Sequence, residues 1–143
     1  QGNAWPLELT WFGASVWNGR VYVVGGGNES FPTIYTKEVY SSQIQPDGSL
    51  GPWQAEPPMP VKITNHATAT AGGALYVIGG IYKIGSGMAT YNPTVYYSSI
   101  NPDGSLAGWQ TTSPSLVAMA EVAVAVGNGH IYQFGDMEVL KVG

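Results

Sequence analysis

The sequence predicts an all-β chain of repeated four-stranded antiparallel units, and three observations carry that prediction. The segment Val39 to Gln54 recurs as Val95 to Gln110 with eleven of sixteen positions identical, at an offset of 56 (103 − 47 for the Asp, 109 − 53 for the Trp). A shorter signal occurs three times, as Gly19 to Gly26, Gly73 to Gly80 and Gly129 to Asp136, with its Tyr residues 54 and 56 apart (76 − 22 and 132 − 76). No stretch sustains a helical period, because Pro and Gly break every candidate. Two interleaved signals sharing one period define a repeat architecture.

Each period reads as four short strands. The first is small and β-branched: Gly13 to Trp17, Ala67 to Ala71 and Ala123 to Val126. Asn18-Gly19, Gly72-Gly73 and Asn128-Gly129 follow, residue pairs that supply the positive φ of a tight hairpin. The second strand, Val21 to Val24 and its copies, is a continuous apolar run and is expected to be buried on both faces. The third covers Glu38 to Ile44 and Thr94 to Ile100. Pro46-Asp47-Gly48 and Pro102-Asp103-Gly104 then turn the chain into a fourth strand holding Trp53 or Trp109. Four-stranded antiparallel units at this period predict propeller blades.

Composition narrows the function. The 143 residues are enough for about one compact domain. Charged residues make up only 10% of the chain, against about a quarter in typical domains. Five Lys and Arg against nine Asp and Glu give a net charge of −4, which argues against nucleic acid. With no Cys, disulfides, Cys-ligated metals and thiol nucleophiles are all excluded. No apolar run is long enough to span a membrane as a helix. Low charge with abundant Gly, Ser, Thr and aromatic residues points to an extracellular or periplasmic protein. Gln1 is preceded by neither Met nor a leader, which fits a mature form, a trimmed product or a fragment.

The motifs resemble the kelch family: a Gly-Gly doublet ending strand two, a Tyr just before it and a Trp about 30 residues on. Here these are Tyr22, Gly25, Gly26 and Trp53, then Tyr76, Gly79, Gly80 and Trp109. The Asp-Gly-Ser-Leu turn before each Trp is similar to bacterial kelch-like repeats, while the third copy departs with Gly135-Asp136. The resemblance implies a kelch-type β-propeller and leaves the activity open. Residues 1–10 then read as a lone fourth strand through Trp5, 11–58 as blade 1, 65–114 as blade 2 and 119–143 as a partial blade 3. Three blades are too few to close, since propellers use four to eight. Two chains forming one six-bladed ring, with Trp5 completing the partner's last blade, would satisfy this. The rival is a fragment of a longer propeller.

Successive loops of a meander alternate between two faces. The short turns at Asn18-Gly19 and Asp47-Gly48 read as structural, and the longer, divergent loops on the other face read as functional. Strand one is innermost in kelch-like blades, so its start opens near the central channel. Counting back eleven residues from each repeat Tyr gives Trp11, Asn65 and Glu121, and counting back ten gives Phe12, His66 and Val122. Trp11, Asn65, His66 and Glu121 are therefore candidate ligand-binding residues of a funnel, with amide and carboxylate for sugar hydroxyls and an indole for a sugar face. The competing reading is that these groups satisfy loops and channel water. Tyr35, Tyr82 and Tyr91 lie in the variable loops as a candidate rim, with packing as their alternative role. Lys62 and Lys83 are rare cations on that face.

Catalysis has little support. His66 and His130 are 64 residues apart (130 − 66) and are not expected to meet, so no metal site is assigned. No Ser-His-Asp order, phosphate loop or nucleophile elbow is present. The copper and Tyr–Cys chemistry of kelch-like galactose oxidases is excluded by the lack of Cys. Kelch-like enzymes that epimerise sialic acid place Arg near the anionic sugar, and the only Arg here, Arg20, falls on the structural face. The expected function is a non-catalytic binding module for a glycan or protein, without cofactor. The alternatives are a structural subunit of an extracellular assembly and a fragment of a larger carbohydrate-active enzyme.

Overall fold

The computed structural model describes residues 8–28, 34–83, 87–115, 118–135 and 138–142. Every regular element among them is a strand. β1 (Gly13–Trp17) and β2 (Arg20–Val24) form a hairpin through Asn18 and Gly19, at φ 50° and 72°. β3 (Gly27–Asn28) and β4 (Ile34–Tyr35) make a small ribbon, and β5 (Val39–Gln43) and β6 (Gln54–Glu56) complete a sheet of order β1-β2-β5-β6. After β7 (Lys62–Thr64) the pattern repeats. β8 (Ala67–Ala71), β9 (Ala74–Ile78), β12 (Val95–Ser99) and β13 (Gln110–Thr112) build the second sheet, with β10 (Ile81–Lys83) and β11 (Thr90–Tyr91) between them in sequence. β14 (Ala123–Gly127), β15 (His130–Gly135) and β16 (Glu138–Val142) form a third, three-stranded sheet.

All three sheets share one register. Val23 faces Tyr40, Val77 faces Tyr96 and Gln133 faces Leu140. Register follows burial here, since a one-residue slip would turn every apolar side chain outward. Tyr22, Val23 and Val24 are buried on both faces of the first sheet, as are Leu75, Val77 and Ile78 in the second. One core, containing Tyr22, Val24, Ile63, Leu75, Val77 and Leu106, lies between the first two sheets. A smaller one, Ala69, Ile78, Val95 and Ile131, joins the second to the third.

Strands β1, β8 and β14 lie side by side, with β8 touching both of the others. Ser15 Oγ donates to Thr68 Oγ1 at 2.9 Å and Thr70 Oγ1 donates to the Val16 carbonyl at 2.8 Å. Farther out, Tyr22 Oη donates to the Gly104 carbonyl (2.7 Å) and Trp109 Nε1 to the Pro57 carbonyl (2.8 Å). Trp109 thus packs on the core while tying its sheet to the previous one.

The structure differs from the sequence reading in two details. Trp53 and Trp109 sit immediately before β6 and β13, because the strands begin only once the chain has cleared the preceding Gly-containing turn. The loops after strand two also carry structure. In the second repeat β10 pairs with both β7 and β11, so the variable loop and the inter-sheet link fuse into one small sheet. The Trp5 segment lies outside the described residues.

Candidate functional site

Trp11, Asn65 and Glu121 begin the innermost strand region of the three sheets. All three adopt the left-handed backbone, at φ 56°, 54° and 55°. Such a conformation is costly for a bulky non-glycine residue and persists only where its surroundings enforce it. The enforcing contacts are backbone bonds. The Asn65 N–H donates to the Trp11 carbonyl and the Glu121 N–H to the Asn65 carbonyl, both at 3.0 Å. Bonds of the opposite sense run beside them, from the Gly26 N–H to the Ile63 carbonyl and from the Gly80 N–H to the Met119 carbonyl, both at 2.8 Å. Gly80 has no alternative here: its φ is 88° and a Cβ would stand 2.6 Å from the Thr64 carbonyl oxygen.

These three residues and their successors line one recess of about 190 Å³, formed by Trp11, Phe12, Asn65, His66, Glu121 and Val122. Trp11 and Phe12 are about 40% exposed, at 40% and 41%, and present an aromatic wall. Glu121 is exposed and Asn65 half-buried. The single Thr64 hydroxyl proton is shared between the Trp11 carbonyl (3.3 Å) and Asn65 Oδ1 (3.2 Å). The opening therefore offers an amide, a carboxylate and two aromatic faces on a rigid backbone frame.

His66 is different. Its side chain is buried against Gly13, Gly25 and Gly80, where an added Cβ would collide with it. Neither ring nitrogen has a hydrogen-bond partner. Burial pushes its pKa down to about 4, with the Val24 carbonyl pulling weakly the other way, so the ring is neutral at neutral pH. His66 forms the floor of the recess and its equivalents, Phe12 and Val122, are apolar.

The three tyrosines separate. Tyr35 and Tyr91 line a second recess of about 340 Å³ with Ile81, Ala89 and Thr90. Tyr82 packs against the core between the first two sheets instead. Lys62 and Lys83 stand directly opposite each other across the β7–β10 pair. His130 lies far along the chain with its Nδ1 2.7 Å from the Asn128 carbonyl, and no group of three or more metal-ligating side chains occurs among the described residues. No helix among them is long and apolar enough to cross a membrane.

Sequence reasoning missed Glu56. This buried carboxylate accepts from Ser41 Oγ at 2.6 Å and from the Leu106 N–H of the next sheet at 2.8 Å. Thr112 holds the equivalent place in the second repeat, so the periodic signal passes over it.

Stacked antiparallel sheets of one register, stitched at their inner strands, give an all-β, propeller-like architecture. The comparisons agree. No family model matches the chain. Beta-scruin from Limulus polyphemus, a kelch-repeat protein, is 29% identical over 120 residues, covering 84% of this chain and 12% of the scruin. The solved structure of YjhT, a kelch-type propeller, superposes with a TM-score of 0.70 at 25% identity, covering 90% of this chain and 34% of that one. The chain thus spans about a third of the solved relative and about an eighth of the curated one.

Proposed function

We propose that this chain is a non-catalytic binding module that takes a glycan or protein ligand on the variable-loop face, around the opening lined by Trp11, Asn65 and Glu121. The observation that carries this reading is the convergence of three chemically different side chains, one from each sheet, on three equivalent strained backbone positions. The scaffold asks only for the left-handed turn, so the side chains are free to vary. What varies is a stacking surface, an amide and a carboxylate, a set suited to hydroxyl-rich or peptide ligands.

The reading extends to assembly. A second copy completes the arc, giving six blades, a reading supported by the backbone bonds between the first two sheets recurring between the second and third, a series that a further sheet can extend. The low charge and aromatic-rich composition of the chain support a reading as an extracellular or periplasmic protein.

The test is a glycan array probed with the wild-type chain and with Trp11→Gly. Glycine relieves the left-handed strain at φ 56°, so the variant is expected to fold while losing about 1 kcal/mol or more of stacking energy with a bound sugar. Equal binding by both proteins, in a variant of unchanged thermal stability, would remove the opening from the ligand site.

A further inference from the structure

A cleft between the first two sheets opens on the opposite face, beside the short hairpin turns. It holds about 270 Å³, the small end of ligand-sized sites, between Asn18 on one sheet and Asn101 to Gly104 on the other. Its floor is closed by the hydrogen bond from Tyr22 to Gly104. Trp17, half-buried, forms one wall, with Arg20 and Gln43 beside it and Asp103 across the gap.

The repeat itself separates what the blade needs from what this cleft has added. At the positions of Trp17, Asn18, Arg20 and Gln43 the second repeat carries Ala71, Gly72, Ala74 and Ser99, and its sheet forms in the same register. Asn18 serves the hairpin turn and returns as Asn128, but the Trp17 indole, the Arg20 guanidinium and the Gln43 amide are not required by the fold. They are gathered in the first repeat alone, all on one cleft.

Charge narrows the ligand. Arg20 is held in place by bonds from Nη1 to Ser41 Oγ (2.8 Å) and Gln54 Oε1 (3.2 Å). Asp103 takes bonds from the Ser105 hydroxyl and N–H, and these, helped by Arg20, keep its carboxyl below the usual range and so ionised. One fixed cation and one fixed anion cancel, which disfavours a charged guest. Gln43 Nε2 donates to the Gly19 carbonyl (2.9 Å) and Asn101 Nδ2 to Ser105 Oγ (3.0 Å), so the apolar indole face is ringed by anchored amides that still offer their carbonyl oxygens and one N–H each.

We infer that this cleft is a binding site for a small neutral polyhydroxylated ligand, a single hexose unit, stacked on Trp17. It lies within one chain, so it is complete whatever the assembly, and it is independent of the Trp11 opening.

Saturation-transfer NMR with glucose, galactose and mannose, against glucuronate and glucosamine as charged comparators, tests it. The expected result is transfer to at least one neutral hexose, weaker transfer to both charged sugars, and an affinity loss of about tenfold or more in Trp17→Ala. Because Trp17 also touches the core, Gln43→Ser is the second variant; it is exposed, copies Ser99, gives up only an exposed bond to the Gly19 carbonyl, and is expected to weaken binding with at most a small shift in melting temperature. The same measurements are repeated in the Trp11→Gly background, where the opening no longer stacks a sugar and transfer that still depends on Trp17 and Gln43 reports this cleft alone. No transfer from any neutral hexose, or unchanged affinity in folded Trp17→Ala and Gln43→Ser, would overturn the inference.

Discussion

His66 shows how a single side chain can couple the fold to pH. Its ring is buried without a hydrogen-bond partner, and its pKa stands near 4 against 6.5 when unfolded. Between those values the unfolded chain binds a proton that the folded chain refuses. Stability is therefore full above about pH 6.5 and falls as the pH drops to about 4, by roughly 3 kcal/mol. Urea melts across pH 4 to 7 should show this slope, and His66→Val, which copies Val122, should flatten it. A wild-type slope that persists in His66→Val would assign it to other groups. Glu56, by contrast, is a buried acceptor whose hydrogen bonds are satisfied. Glu56→Ala leaves the Leu106 N–H and the Ser41 hydroxyl without it, and should cost about 1–3 kcal/mol by chemical denaturation. An unchanged midpoint would mean that water replaces the carboxylate.

At the scale of the element, the hairpin strands and turns were legible because their residues are determined locally. Asn18-Gly19 and Asn128-Gly129 adopt the positive φ their pairing demands, and Gly13–Trp17 and Ala67–Ala71 have the bounds their pattern gave. The ribbons were not legible. β7, β10 and β11 are two or three residues long and pair only because the link and the loop are brought together by the sheet beneath. Tyr82 faces inward for the same reason, since its strand pairing sets its direction. The ribbon also sets Lys62 against Lys83, a like-charged pair that works against it. Lys83→Glu should stabilise the ribbon by a few tenths to about 1 kcal/mol, read as slower amide exchange at Ile63 and Tyr82. Faster exchange would show that the lysines point apart.

For the whole molecule, two sequence periods sufficed to give the stacked sheets, because repeats of one spacing must bury equivalent faces against each other. The positions of Trp11, Asn65 and Glu121 came from counting along that period. What those side chains touch did not, because their conformation is imposed by bonds between sheets. Likewise the Trp17 cleft was passed over, since its turns repeat while its walls do not. Assembly is decided at this scale too. Light scattering at micromolar concentration should give twice the 15.1 kDa chain mass if a second copy completes the arc, and a single-chain mass would refute that closure.

At the innermost positions the Asn65 and Glu121 N–H groups each reach back to the carbonyl of the preceding sheet, while just outside the Gly26 and Gly80 N–H groups reach forward to Ile63 and Met119, so every junction joins two different flanks. Such a staircase has a leading and a trailing side that are never alike. Additional sheets can join it only nose to tail, so like flanks cannot pair, and a set of copies that misses its closing angle would wind onward as a fibre.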